Sequence, residues 1–147
     1  MQLQFSYGKL SYEEVRRFLI ETDSEFLIPL STSVDINEYA RKLSSFSDFS
    51  ICRDSGSIIG MISCYTNQPP MGYISNVCVK KQYQGQKVFS RMYRLLILNL
   101  KRLGILYLRL EVNSENSNAQ SVYRHYGFRV VEARPEYNKL LMELEIG

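Results

Sequence analysis

Apolar and polar positions alternate over residues 2–6, with Leu3 and Phe5 between Gln2, Gln4 and Ser6. That is the period of a half-buried strand. The period then lengthens. Ser11 with Glu14 three residues on forms a capping box and opens a helix to about residue 21. Asp35 and Glu38 repeat the spacing and open a second helix to about residue 44. The stretch 27–32 between them holds Pro29 and reads as irregular. Three strand-like runs follow at 48–53, 58–66 and 72–79, parted by the turn sequence DSGS at 54–57 and the breaker NQPP at 67–70. From 87 to 103, Val88, Met92, Leu95, Leu96 and Leu103 mark one face of a long helix, and Gly104 stands where a left-handed stop belongs. Residues 107–112 return to a period of two. A short helix at 118–126 ends at Gly127, and strands at 129–134 and 140–146 flank a turn near Pro135.

The order β-α-α-β-β-β-α-β-α-β-β predicts a mixed sheet with helices packed on it, an α/β or α+β fold. No repeat, low-complexity tract or linker interrupts it, so residues 1–147 read as a single domain. Composition agrees: 45% hydrophobic residues support a packed core in a chain of 147. The net charge of +3 permits an anionic ligand, while the scattered basic residues argue against nucleic acid. The most apolar run, 95–100, is too short to span a bilayer, and residues 1–10 carry no leader pattern, so a membrane role is not expected and a cytoplasmic location is. The three cysteines, Cys52, Cys64 and Cys78, lie in strand-like runs and are expected to be buried free thiols. One histidine and no Cys-x-x-Cys pair leave a metal site without ligands.

Two segments carry candidate chemistry. The first runs from a strand end at Val77, Cys78 and Val79 through a loop at 80–86 into a helix beginning at Lys87. Unpaired amides in the first turn of a helix suit a phosphate or pyrophosphate. Gly85 lets the backbone approach such a ligand, and Lys80, Lys81 and Lys87 add positive charge. A solvated loop before an ordinary helix gives the same pattern. The second segment is NSNAQSVYRHYGF at 116–128. Asn116 can cap the short helix or offer its amide to a ligand, Ala119 leaves room for close approach, and Tyr123 falls on the same face with a hydroxyl free to point outward. The alternative is a cap, a packing tyrosine and a glycine stop. His125, two residues from Tyr123, faces away and reads as a surface residue.

In this order the two segments resemble the GCN5-related N-acetyltransferase superfamily. The later motif N-x-x-A-x-x-x-Y-x-x-x-G-F is matched by Asn116, Ala119, Tyr123, Gly127 and Phe128, and the cofactor motif Q/R-x-x-G-x-G/A by Gln84-Gly85-Gln86-Lys87-Val88-Phe89. Lys87 and Phe89 depart from it, standing where glycine and glycine or alanine are usual. The run LRLEVNSEN also resembles the strand of members that acetylate protein N-termini. The resemblance implies two central strands that splay to admit acetyl-CoA as co-substrate. Its pantetheine arm would meet Val77, Cys78, Val79 and Asn116, and its pyrophosphate the amides of Gln84, Gly85, Gln86, Lys87, Val88, Phe89 and Ser90. An amide near Val79 would polarise the thioester carbonyl.

The resemblance further implies direct attack by a primary amine of a peptide, small molecule or amino sugar. Glu111 is the candidate base and Tyr123 the proton donor to the departing thiolate. A solvated Arg109–Glu111 pair is the plainer reading of Glu111. The two N-terminal helices, with a loop at about 21–32, and the turn at 135–138 would shape the acceptor site. Glu21, Asp23 and Glu25 could attract a cation or simply be solvated. A non-catalytic acyl-CoA-binding module and an interaction domain remain as rival readings, and a monomer and a homodimer are equally compatible.

Overall fold

A computed structural model describes residues 2–26 and 29–147. Leu27 and Ile28, which belong to both the expected irregular stretch and the expected acceptor loop, lie outside the described residues.

The first strand, β1, is Leu3–Gly8. The helix α1, Tyr12–Thr22, starts at the expected box: Glu14 N–H donates to Ser11 Oγ at 3.2 Å, and Ser11 N–H donates to Glu14 Oε1 at 3.3 Å. Short 3-10 turns at Asp23–Glu25 and Leu30–Thr32 lead to α2, Ile36–Phe46, capped by Asp35. Then follow β2 (Ser47–Asp54), β3 (Ser57–Gln68) and β4 (Met71–Val79). A 3-10 turn at Lys81–Tyr83 precedes α3, Val88–Arg102. The chain ends with β5 (Tyr107–Asn113), α4 (Ser117–His125), β6 (Arg129–Arg134) and β7 (Lys139–Glu145). The expected element order holds, with boundaries shifted by a residue or two.

Both helices preceding the last strands stop as their glycines require. At the end of α3, Ile105 N–H donates to Leu100 O and Gly104 N–H to Lys101 O, with Gly104 at φ 77°. At the end of α4, Phe128 N–H donates to Tyr123 O and Gly127 N–H to Arg124 O, with Gly127 at φ 98°. Each is a Schellman motif, in which the left-handed residue turns the chain back to satisfy orphan carbonyls.

Among the described residues, seven strands form one sheet in the order β1-β2-β3-β4-β5-β7-β6. Every pairing is antiparallel except β4 with β5. The last strand inserts between β5 and β6, so the sequence order does not continue across the sheet. One face is covered by α3 and α4 over Met92, Leu96, Leu100, Leu108 and Met142; the other by α1 and α2 over Phe18, Leu19, Leu43, Phe49 and Met61. The buried stripe of α3 is Val88, Met92, Tyr93, Leu96 and Leu100. Leu103, expected on that face, is exposed as the residue past the helix end, and Leu95 is only half-buried, beside the stripe rather than in it. The three cysteines are buried and unpaired by disulfides. Among the described residues, no helix is long and apolar enough to cross a membrane.

The central pair does not run its full length. β4 and β5 pair through four positions, from Met71↔Tyr107 to Ile74↔Leu110. The register of β3 against β4 shifts between Ser63 and Cys64, which leaves Ser75 as the extra residue of a bulge. A bulge bends its strand and strengthens the local twist. Beyond it β4 leaves β5, and the sheet forks.

Candidate active site

A cavity of about 480 Å³ fills the fork. Ile74, Ser75, Asn76 and Val77 form one wall; Leu110, Glu111, Val112 and Asn113 form the other. Asn116, Ala119 and Tyr123 close it from α4, while Phe26, Leu30 and Tyr137 border it at the opposite end. The bulge places Val77 and Val79 on the α3 side of β4, against the core there, and Cys78 in the core under α1 and α2. Lys80 N–H donates to Ile59 O at 2.9 Å. Alternation along an antiparallel strand then turns the Cys78 backbone toward β3 and those of Val77 and Val79 toward the fork. Cys78 is thus a correction to the expected cofactor contacts. Val77 and Val79 keep free edges, apart from the Val79 carbonyl, which accepts from Gln84 Nε2 at 3.0 Å.

The loop past Val79 makes a second concavity of about 500 Å³. Gln84, Gly85, Lys87, Val88, Phe89 and Ser90 line it on one side, and Ser121, Val122, His125 and Tyr126 of α4 on the other. Lys87 does not begin the helix as expected. It is the N-cap, at φ 61° and ψ 21°, and it provides no side-chain cap. The amides of Val88, Phe89 and Ser90 are the first-turn donors that a helix cannot satisfy internally. Gly85 sits at φ 84° with open space where a Cβ would lie. The left-handed backbone at Lys87 is the reason glycine is the easy residue there. Neither Lys87 nor Phe89 lines the fork; Phe89 instead packs on Tyr93, Tyr126 and Tyr123, with ring centroids 5.8, 5.6 and 6.4 Å away.

Of the three lysines expected to lend charge, Lys80 is held by Glu21 at 2.9 Å, leaving Lys81 and Lys87 exposed at the loop. The acidic residues expected to draw a cation are committed elsewhere. Glu21 pairs with Lys80, Glu25 accepts from Lys81 N–H at 2.9 Å, and Asp23 accepts from Ser31 N–H at 2.9 Å.

Asn116 caps α4: its Oδ1 accepts from Ala119 N–H at 3.1 Å. Its Nδ2 has no hydrogen-bond partner among the described residues, and Asn116 lines the cavity. Gln120, buried beneath, donates to Asn113 O and Ser114 O and pins the loop that carries Asn116. Tyr123 is more enclosed than expected. Phe89 and Phe128 pack edge-on to its ring, and its hydroxyl has no partner among the described residues. Burial alone pushes the phenol up to about 12.

Glu111 stands on the far face of β5 from Leu110 and Val112, facing the α1 and α2 side. The expected pair with Arg109 does not form: Arg109 bonds Glu143 on β7 at 2.7 Å. Glu111 instead accepts from Tyr73 Oη at 3.1 Å and from Arg134 at 2.6 Å, and Arg134 also bonds Glu132. Burial first, and the Glu111 charge second, raise the Tyr73 phenol. Arg134 lies 23 residues away on β6, so no local spacing announces it. Asn76 was also absent from the expected side-chain contacts. Its signal is an amide inside the apolar run Ile74–Val79.

The forked sheet and the uncapped helix start beside it define an acetyltransferase architecture, and the chain belongs to the GNAT family: its acetyltransferase (GNAT) domain model matches residues 9–142. The chain is 34% identical over 91 residues to N-alpha-acetyltransferase RimI of Mycobacterium tuberculosis, a match covering 60% of this chain and 56% of that protein. It is 34% identical over 61 residues to the chloroplastic GCN5-related N-acetyltransferase 6 of Arabidopsis thaliana, covering 42% of this chain and 21% of the plant protein. The chain thus spans between a fifth and about half the length of these curated relatives. The fold is also that of the ribosomal-protein-S18-alanine N-acetyltransferase of Escherichia coli, with a TM-score of 0.82, 17% identity and 99% and 95% of the two chains covered. The PaiA N-acetyltransferase of Thermoplasma acidophilum, solved in complex with coenzyme A, matches with a TM-score of 0.75, 19% identity and 99% of each chain covered.

Proposed function

We propose that the protein is an acetyl-CoA-dependent N-acetyltransferase acting on a primary amine, with a peptide α-amine as the favoured acceptor. The observation that carries this reading is the fork itself. Its cavity brings Asn116, Ala119 and Tyr123 from one side of the sheet together with Glu111 from the other. The likeness to RimI, an N-alpha-acetyltransferase, favours a peptide acceptor.

In this reading the pyrophosphate rests on the free amides of Val88, Phe89 and Ser90, with Gly85 allowing close approach. The pantetheine arm bonds the open edges of Val77 and Val79, and Asn116 Nδ2 donates to it from the other wall. The amine nitrogen attacks the thioester carbonyl carbon; the C–N bond forms, the C–S bond breaks and the thiolate leaves. The amine proton passes to Glu111 through a water; each carboxylate oxygen accepts one hydrogen bond already and keeps a lone pair for that proton. Tyr123 meets the thiolate as a hydrogen-bond donor. With the phenol at about 12 and an ordinary thiol near about 8.5, the proton stays on the tyrosine oxygen.

The test is free-thiol release from acetyl-CoA across a panel of a free-N-terminus hexapeptide, N-α-acetyl-lysine, spermidine and glucosamine. Turnover with the peptide supports the reading. Stabilisation by acetyl-CoA without turnover on any amine would instead identify a non-catalytic coenzyme-binding module.

A further inference from the structure

Asn76 is an orphan at a place that matters. It is 6% exposed, its Oδ1 has no hydrogen-bond partner among the described residues, and it forms part of the wall of the fork. Its cross-strand neighbour is Ser63, whose buried Oγ is also unpartnered, and the hydroxyl of Tyr65, two residues along the same face of β3, is a third. Buried polar atoms without partners are uncommon in a folded chain, and each one asks what fills the gap. Of the three, only Asn76 lines the cavity, and its unpartnered carboxamide oxygen loses no hydrogen bond when the side chain turns toward a polar guest there.

The face identifies the guest. Asn76 lies two residues from Cys78, hence on the α1 and α2 side of the sheet, opposite the side from which Asn116, Ala119 and Tyr123 enter. Tyr73 with Glu111, and Tyr39 of α2 with Ser75, complete a polar rim on that same side. Resting on the acetyl-transfer reading above, we infer that Asn76 is a specificity-determining residue for the acceptor: its carboxamide turns into the cavity and its oxygen receives an N–H of the incoming primary amine. An amide oxygen accepts from an ammonium and from a neutral amine alike, so it can hold the acceptor while the proton is removed. A primary amine has hydrogens for Asn76 and for the path to Glu111 together. Thiols and alcohols, with a single hydrogen, cannot serve both.

The experiment compares Asn76→Thr with Asn76→Val, two side chains of one shape that differ by an acceptor oxygen. KM for the hexapeptide amine, kcat and the acetyl-CoA dissociation constant are measured for each. The expected result is a KM at least ten-fold higher in Asn76→Val than in Asn76→Thr, with kcat within about three-fold and acetyl-CoA binding unchanged. Equal KM values, with a lower melting temperature in Asn76→Val, would assign the orphans to a structural water and overturn the inference. Asn76→Ser against Asn76→Ala repeats the comparison if the branched pair does not fold. Failure of the wild-type protein to release thiol with any amine would overturn the acetyl-transfer reading, and this inference with it. Wild-type turnover with indistinguishable variants overturns the inference alone.

Discussion

Three residues of the site can be tested singly. The Tyr123 hydroxyl has no partner among the described residues, so Tyr123→Phe removes chemistry without removing a contact. Its melting temperature should stay within about 1 °C of wild type, while kcat falls by roughly ten- to a hundred-fold, the worth of a hydrogen bond to the departing thiolate. A variant that keeps its rate would return Tyr123 to packing. Glu111→Gln keeps the shape and the Tyr73 contact but removes the charge that Arg134 meets. Thiol release by this variant should drop by roughly ten-fold or more. Lys87 is different in kind. A side chain in the left-handed region costs about 1–2 kcal/mol, so Lys87→Gly should stabilise the fold by about 1 kcal/mol, or roughly 3 °C, read by thermal melting.

At the scale of elements, the close approach of α3 to β3 decides where the loop to Lys87 sits. A Cβ on Gly60 would meet Met92 Sδ at 3.1 Å and Val88 Cγ1 at 3.2 Å. Val88 is the first residue of α3 and cannot yield without moving the helix start. Gly60→Ala should therefore cost about 1–3 kcal/mol in chemical denaturation and weaken acetyl-CoA binding as the free amides shift. The elements themselves were largely legible in the chain. Ser11 with Glu14, Asp35, Asn116, Gly104 and Gly127 mark their ends by chemistry that acts within three or four residues. What escaped is non-local. The Ser75 bulge is a relation between β3 and β4. The Arg134–Glu111 contact needs β6 to return beside β7, and the Arg109–Glu143 pair needs β7 to insert next to β5. The φ of Lys87 escaped as well, because the residue type argues against it. Tyr123 and Asn116, which line the cavity, were legible as candidates, whereas Asn76 becomes visible only once the fork is known.

For the molecule as a whole, buried thiols set the alkaline limit. Burial pushes Cys64 up to about 12 and Cys78 up to about 11, whereas in an unfolded chain a thiol ionises near about 8.5. The unfolded state therefore releases these protons first. Their contribution is complete below about pH 8.5 and is lost as the pH climbs toward the folded values. Melting temperature should fall between pH 8 and pH 10.5, and Cys64→Ala should flatten that fall whatever it does to the starting value. Acetyl-CoA at 100 times its dissociation constant should stabilise the native state by about 2.7 kcal/mol.

The short seam from Met71↔Tyr107 to Ile74↔Leu110 has one more consequence. Strands in the middle of a sheet ordinarily hold the slowest-exchanging amides of a domain. Here Val77 and Val79 are central in position yet lack a neighbour on one edge. Deuterium uptake at these two should resemble that of a border strand, and should slow sharply once a thioester bridges the gap. Substrate would then act as a splint, supplying the rungs that the missing half of the ladder leaves out, so that capture and stiffening become a single event.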